Sequence, residues 1–485
     1  MRRRVAALVT LAATVGAVAL FRRTRLAGPI NRTSRAGRNL ELARLGAAVG
    51  STYASTNARK LFASAERRAE LDDAARLRTA EQVAERLGNM KGALMKIGQM
   101  ASYLDDALPE PVRDALAVLQ SAAPPMSADL AAEVVERELG AAPDVVFVEW
   151  DPEPIAAASI GQVHRAVVVD PTTGAERAVA VKVQYPGVGE AIEADLANTD
   201  LLGTLLRQGF SGLDPSEMVA EIRERLTEEL DYAREAANQT RFADFYRGHP
   251  FIHVPDVLPA FSTSRVLTSE LVVGTSFQEV RGWDQHQRDL AAEALFRFVF
   301  RSLYRMRAFN GDPHPGNYVF HGDGRVSFLD FGLVRYFSVD ELTTFQSMVK
   351  AAAVDHDAVA FRRIVEDAGL LRREAPVGTD EAGEYFSQFY EPVASDRVMT
   401  WTPEYSSTIV RHTFDRSSPI AQYATVPRAF VFIQRINLGL YALLGDLRAT
   451  GNYRRMAEEL WPFANGAPST ALGEAEAAWL ARRHG

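Results

Sequence analysis

A chain of 485 residues with 47% apolar and 24% charged residues has a globular composition, which excludes a mostly disordered, collagen-like or polytopic membrane protein. The length allows two or three domains or one large two-lobed unit with a sizeable core. Cysteine is absent, so disulfide scaffolds, thiolate metal sites and cysteine nucleophiles are excluded. The net charge is −8, but ten of the 54 basic residues and only one of the 62 acids, Glu41, lie in residues 1–50, leaving the remainder at −17. A body of that sign is not a general nucleic-acid binder. Five of the basic residues are lysines: Lys60, Lys91, Lys96, Lys182 and Lys350. In so arginine-rich a chain, each raises the question of whether a compact ammonium was required.

The first segment has an apolar run from Val5 to Phe21 between Arg2-Arg3-Arg4 and Arg22, Arg23 and Arg25. As a helix it spans roughly 26 Å, a marginal fit to a hydrocarbon core of about 30 Å. A membrane anchor, a signal cleaved after Ala17-Val18-Ala19 and a basic leader are all compatible with it. Beyond it, Val83, Leu87, Met90, Leu94, Ile97 and Ala101 alternate at spacings of four and three, which predicts an amphipathic helix. Lys96-Ile97-Gly98-Gln99 sits beside this seam, where spacing alone favours a solvated, snorkelling lysine.

From Val145 the pattern turns to short β-rich runs. Val146–Val148 and Val163–Val169 read as strands joined by a small-residue loop, Pro154 to Gln162. Such a loop lets backbone amides approach phosphates, although small-residue hairpins are common. Ala178-Val179-Ala180-Val181-Lys182-Val183 reads as a strand with one lysine in apolar company, which is costly unless an acid or a phosphate pairs with it. It is similar to the third strand of protein kinases, whose lysine holds the α- and β-phosphates. A helix expected from about Met218 to Thr240 offers Asp231, Glu235 and Asn238 on one flank. The two acids are candidate partners for Lys182, unless Arg225 and Arg234 satisfy them locally.

The strongest signal is Asn310-Gly311-Asp312-Pro313-His314-Pro315-Gly316-Asn317 followed by Asp330-Phe331-Gly332. Asp312 and Asn317 are five apart, as in the kinase catalytic loop, and Asp330 follows one short hairpin later. A carboxylate near the acceptor, with an amide oxygen and a second carboxylate as hard ligands, is what Mg²⁺-dependent phosphoryl transfer asks for. The two prolines predict a fixed, non-helical path, and His314 reads as an orienting or core histidine rather than a metal ligand. Ser338-Val339-Asp340-Glu341 predicts a capping box, with only five residues between it and Gly332. That leaves no room for a peptide-docking activation segment, and the usual His-Arg-Asp and Ala-Pro-Glu sequences are absent.

These residues resemble the UbiB/ADCK family of atypical kinase-like proteins over about residues 75–340. The carrying motifs are Lys96-Ile97-Gly98-Gln99, the loop through Ser159 and Gln162, Val179–Lys182, Glu229-Leu230-Asp231, Asp312–Asn317 and Asp330-Phe331-Gly332. The resemblance implies an α+β, two-lobed protein-kinase-like fold with an N-terminal helical extension and a mainly helical C-lobe. The expected boundaries are 1–30 for an anchor or leader, 31–125 for the extension, 126–275 for the N-lobe with a helical insertion, and 276–485 for the C-lobe. It implies ATP and Mg²⁺ as cofactors, Asp312 as the catalytic-loop acid, Asn317 and Asp330 on Mg²⁺, and Lys182 paired with Glu235 and the phosphates. Ala157, Ala158, Ser159, Ile160, Gly161 and Gln162 would cover the nucleotide, while the backbone of Glu270 and Val272 would meet adenine. The extension would fold over the site, with Lys96 and Gln99 near Glu229 and Asp231, in the place of a peptide substrate. The expected function is a Mg²⁺-dependent ATPase or small-molecule or lipid kinase, acting at a membrane surface in isoprenoid quinone or lipid biosynthesis. A quinone-like or lipid acceptor, quinone-biosynthesis proteins as partners and no nucleic acid go with it. ATP use also favours a tether with the catalytic body facing the cytoplasm. The alternatives are a nucleotide-gated scaffold or lipid-binding pseudokinase with negligible turnover, and a phosphotransferase of the aminoglycoside-kinase type.

Overall fold

The computed structural model describes residues 127–484 except 159, 172, 190–229, 415–417 and 426. All of these lie in the second of two compact units, Met90–Gly485. The expected anchor, the seam from Val83 to Ala101, Lys96, Gln99, Ser159 and Glu229 fall outside the described residues.

The N-lobe opens with α1 (Ala128–Leu139), which starts where the Ser127 side chain accepts the Leu130 N–H and stops at Gly140, whose φ of +85° suits a residue without Cβ. It lies on a four-stranded antiparallel sheet in the order β1-β2-β3-β5, made of β1 (Glu149–Ala157), β2 (Gly161–Val169), β3 (Glu176–Gln184) and β5 (Val266–Glu270). One sheet face is dry: Val134 and Val135 of α1 meet Ala166, Val168, Val179, Val181, Val183 and Val266. The period-2 valines of β3 therefore place Lys182 on the opposite face.

Two sequence expectations are corrected here. Val146–Val148 is not a strand: Pro143 at the first helical position nucleates a single helical turn, Pro143–Val146. The strand begins at Glu149 and runs through Pro154 to Ala157, so the joining loop is shorter than expected. Proline is tolerated because β1 is an edge strand, with register irregularities on both sides of Pro154.

After α2 (Tyr232–Tyr246) and the two-residue β4 (Ile252–His253), the chain crosses β5 into the C-lobe. There β4 pairs with a second sheet in the order β4-β9-β8-β6, formed with β6 (Thr275–Ser276), β8 (Tyr318–Phe320) and β9 (Val326–Phe328). The small strands β7 (Ala308–Asn310) and β10 (Val334–Tyr336) pair with each other. The long helix α3 (Gln285–Arg301), capped by Asp284, precedes β7. The helices α4 (Val339–Val349), α5 (Ala358–Asp367), α6 (Thr379–Ser387), α7 (Pro403–Phe414), α8 (Arg428–Asp446), α9 (Tyr453–Leu460) and α10 (Ala471–His484) complete the lobe. The capping box expected at Ser338 is present, with Glu341 N–H on Ser338 Oγ and Ser338 N–H on Glu341 Oε2. The architecture is the expected two-lobed α+β kinase-like fold.

The C-terminal helix is fixed by buried charge. Arg297 of α3 is fully buried and donates to Glu293 at 2.6 Å, Glu459 at 2.8 Å and Glu476 of α10 at 2.9 Å. Arg301 donates to both Glu476 oxygens at 2.9 Å. His249 Nδ1 accepts the Ile252 N–H at 3.0 Å, so its proton sits on Nε2, facing Glu476 at 3.4 Å. Burial opposes the Glu476 charge, but His249, Arg301 and Arg297 hold its carboxyl well below the usual carboxylate range. Burial holds His249 below its ordinary value, so it is neutral in the fold.

Glu476→Ala is expected to cost about 3–5 kcal/mol in denaturant unfolding, since it leaves two arginines buried without their shared acid. The sign of the pH effect follows from linkage. The Glu476 contribution is complete above about pH 4.5 and is lost as pH falls below it, while protonation of His249 in the unfolded chain erodes stability below about pH 6.5. Unfolding midpoints measured from pH 8 to 3 should fall more gently below about pH 4.5 in the variant than in the wild type. Equal acid slopes there would refute this assignment.

Candidate nucleotide and metal site

Lys182 meets its acids as the strand pattern predicts. Its Nζ lies 2.7 and 2.8 Å from the two Glu235 oxygens and 3.7 Å from Asp330 Oδ2. The Tyr232 ring adds a cation–π contact at 4.9 Å. Burial works against the ammonium, but Asp330 first and then Glu235 more than offset it, and the group is pushed well above the ordinary lysine value. Lys182 is a fixed positive charge.

Glu235 is positioned by a helix start that the sequence pattern missed. Within the expected Met218–Thr240 span, α2 starts at Tyr232: Asp231 has an extended backbone, and its side chain caps α2 by accepting the Ala233 and Arg234 N–H groups at 3.1 and 3.3 Å. Residues 218–229 lie outside the described ones. The cap puts Glu235 in the first helical turn, where the helix dipole favours a carboxylate. Gln184 Nε2 donates to Leu230 O at 3.0 Å and ties this corner to the end of β3. Asp231 is thus a helix cap, and the site acid on this helix is Glu235, 4% exposed.

The catalytic-loop segment is a local lattice. Pro315–Asn317 form one 3₁₀ turn, in place of the non-helical path expected, because Pro315 supplies the helical φ and His314 Nδ1 accepts the Gly316 N–H at 3.1 Å. His314 is therefore an orienting group. Asn317 Nδ2 donates to Asp312 O at 3.0 Å, and the Leu329 N–H returns to Asn317 O at 3.0 Å. Asn310 Nδ2 donates to Asp330 O at 2.5 Å, and Asp330 Oδ1 accepts the Gly332 N–H at 2.9 Å. A Cβ on Gly332 would approach Asp330 Oδ1 to 3.3 Å and Glu235 Oε2 to 3.5 Å, a tight fit against both acids. From α2, Asn238 donates to Phe331 O at 3.1 Å and accepts from the Tyr336 hydroxyl at 2.9 Å. Asn238 and Asn310 thus grip the Asp-Phe-Gly backbone from two sides. Sequence reading gave Asn310 no role and Asn238 only a place on the helix flank.

These groups fit a magnesium nucleotide. With its amide nitrogen on Asp312, Asn317 has Oδ1 left as a hard ligand, and Asp330 Oδ2 faces Lys182 rather than a helix or strand donor. One ammonium stands between two carboxylates, Glu235 and Asp330, an excess of negative charge that suits a divalent cation. Among the described residues no three acidic or imidazole groups form a metal site by themselves. A magnesium ion here would take its remaining ligands from phosphate and water.

The covering loop differs from its expected role. Ala157 ends β1, and the Ala158 N–H is committed to Gly161 O at 2.9 Å, so that amide does not reach toward a phosphate. Ile160 is buried, and a Cβ on Gly161 would collide with Val183 O: this glycine lets β2 pass close to β3. Gln162 lies opposite Val183 in register, and its Nε2 contacts His164 Nε2 at 3.0 Å. His164 in turn stacks on Trp150 at 4.6 Å. The Gln162 side chain therefore belongs to the α1 side of the sheet, away from Lys182. Glu270 ends β5 with its N–H on Asp256 O at 2.9 Å and its carboxylate on Arg177 at 3.2 Å, and Val272 follows in the segment leading to the C-lobe.

The ABC1 atypical kinase-like domain matches residues 118–364, and the chain belongs to that family. It is 34% identical over 279 residues to the rat mitochondrial atypical kinase COQ8B, covering 56% of this chain and 51% of that protein. It is 28% identical over 318 residues to the mitochondrial atypical kinase COQ8 of Saccharomyces cerevisiae, covering 65% and 62%. It is 35% identical over 329 residues to the probable protein kinase UbiB of Xanthomonas campestris, covering 64% and 58%. The chain thus spans less than two thirds of the curated relatives described here. A solved structure described as the complex of Rv3197 with erythromycin from Mycobacterium tuberculosis is similar with a TM-score of 0.59 and 33% identity, covering 82% of this chain and 98% of that one.

One further support comes from α8. A Cβ on Gly439 would overlap the Pro313 ring, so this helix glycine is the seat on which the catalytic loop rests. Alanine in a helix interior is otherwise favourable by about 1 kcal/mol over glycine. Gly439→Ala is therefore expected to keep its melting temperature within a few degrees while losing about tenfold or more of nucleotide turnover, because the loop must shift. Wild-type turnover in a well-folded variant would show that the contact does not position the loop.

Proposed function

We propose that the protein is an ATP-using, Mg²⁺-dependent atypical kinase or ATPase that supports isoprenoid quinone or lipid biosynthesis at a membrane surface. The observation that carries the nucleotide part is the convergence of Lys182, Glu235 and Asp330 within 3.7 Å, backed by the Asp312–Asn317 lattice. Lys182, held by Glu235, offers its charge to the phosphates. In this reading Asp312 would take the proton of the acceptor hydroxyl or water. Asn317 and Asp330 would hold the magnesium, which when bound neutralises charge on the transferring phosphoryl group. Only five residues separate Gly332 from the Ser338 cap, and that favours a small or lipid-like acceptor, or water, over a docked peptide.

The relatives named COQ8, COQ8B and UbiB support the link to quinone biosynthesis, and the first two are described as mitochondrial. Among the described residues no helix is long and apolar enough to cross a membrane. Membrane association in this reading therefore rests on residues 5–21 or on the surface of the folded body.

Calorimetry with ATP in the presence and absence of Mg²⁺ tests the reading directly. The wild type is expected to bind only with Mg²⁺, and Asp330→Asn to lose the magnesium dependence together with about a hundredfold or more of turnover. An absence of Mg-dependent binding to folded wild type would end the nucleotide reading. Stimulation of turnover by anionic liposomes or quinone-like phenols supports the acceptor class, and indifference to both removes the lipid and quinone part.

A further inference from the structure

The C-lobe holds a cavity that none of the residues around Lys182 lines. Protein interiors seldom leave a void larger than one water. Here α3, α4, α8 and α9 enclose one, with Phe296, Phe345, Ile433, Ala457 and Trp461 among its walls. The space open to the centres of water-sized molecules is about 40 Å³, which is room for a compact ring and too little for a long or branched ligand.

Two unusual backbone turns border the gap. At its end α3 widens into a π turn, Ser302–Met306, in which the Arg307 N–H reaches back to Ser302 O. The helix α4 continues likewise into Lys350–Val354, where the Asp355 N–H donates to Lys350 O at 2.9 Å. The first turn carries Leu303 and Tyr304 into the wall, and Val349 stands at the start of the second. Turns of this kind move side chains off the 3.6-residue positions at which helices interdigitate, and they concentrate at functional sites.

One polar atom at the cavity lacks a partner. Asn437 of α8 is 8% exposed, and its Oδ1 is enclosed with no hydrogen bond among the described residues. Ile433, Asn437 and Tyr441 follow one another at intervals of four, so they share the face of α8 that lines the cavity. Tyr304 and Tyr390 line it too, yet no tyrosine hydroxyl reaches Asn437 Oδ1, and that of Tyr441 donates to Phe389 O at 2.9 Å. A buried acceptor without a donor is costly, and a donor brought by a ligand relieves that cost.

We propose that this cavity binds a small, uncharged aromatic molecule with one N–H or O–H donor, its ring packed among Phe296, Tyr304 and Trp461 and its donor on Asn437 Oδ1. Size and polarity together define the class. No acid, lysine, arginine or histidine lines the cavity, so a charged ligand would be buried without a counter-charge. A pure hydrocarbon would leave the amide oxygen unpaired. Water alone would meet mostly rings and aliphatic side chains, which offer it few of the polar partners it needs and which an aromatic ring contacts well. The proposal is independent of the nucleotide reading.

Aniline and toluene, which match in shape and differ in the donor, test it by ligand-observed NMR titration of the full chain. Both are expected to bind saturably to the wild type. On Asn437→Leu the ratio of aniline to toluene affinity is expected to fall about tenfold, the scale of one hydrogen bond to a buried group. Because it is a ratio within each protein, the different apolarity of the two compounds cancels. The melting temperature of this variant should stay level or rise, since the amide it removes has no partner to lose. Ala457→Leu fills the cavity from α9 and should weaken both compounds, which keeps the test decisive should Asn437→Leu fail to fold. No saturable binding to the wild type would mean that the cavity holds water only, and it overturns the proposal. So does an aniline preference that survives Asn437→Leu, or binding of both compounds that is indifferent to Ala457→Leu.

Discussion

The site depends on one buried ammonium. Lys182 is 17% exposed, and an unpaired charge there would neutralise rather than stay desolvated. Glu235 and Asp330 keep it charged, and the cost of burying the three together is offset by packing that belongs to both lobes. Glu235 comes from α2 beside the N-lobe sheet, and Asp330 from the C-lobe hairpin of β8 and β9. One electrostatic contact therefore specifies how the helix, the strand and the Asp330 loop lie against one another. Buried ion pairs are weak devices for stability but good ones for selecting a single arrangement.

The support around that contact works through backbone carbonyls. Asn238 reaches Phe331 O, Asn310 reaches Asp330 O, and Gln239 reaches Pro255 O at 2.8 Å. Each uses a buried or half-buried amide to fix a loop that lacks regular hydrogen bonding of its own. The Phe331 ring completes the arrangement, fully buried and 4.9 Å from Phe242 of α2. The two acids at the site are thus held by different means, Asp330 through its main chain and Glu235 through the cap at Asp231.

What the sequence made legible follows from this division. Lys182 stood out because period-2 valines leave one polar position on a dry strand, and Asp312, Asn317 and Asp330 because their spacing is that of a loop and one hairpin. Such local regularities survive without coordinates. The Asp231 cap was hidden because leucines and alanines continue the 3.6-residue period across it, and periodicity does not register a backbone break. Gln162 was expected over the nucleotide because it was read as loop, whereas it lies in β2, whose alternation sets its side chain on the Val183 face. Gly439 could not be read at all: its reason is Pro313, far away in the chain, and no local pattern encodes a contact of that kind.

The lysine shortage acquires a physical meaning when the two buried cation centres are compared. Arg297 serves three carboxylates, Glu293, Glu459 and Glu476, that surround it in different directions, and the planar fork of a guanidinium distributes its donors to match. Lys182 must instead meet both oxygens of Glu235 and face Asp330 from a single atom. A guanidinium at that position would spread its charge over a plane several ångströms wide and push Asp330 away from the Gly332 amide that orients it. The same chain therefore uses arginine where a charge is shared outward among several acids, and at position 182 lysine, where the charge is concentrated at one atom. Of the two lysines among the described residues, Lys350 lies half exposed against Asp355, a pairing that arginine could also make. The composition constrains function at Lys182 and leaves Lys350 free to vary.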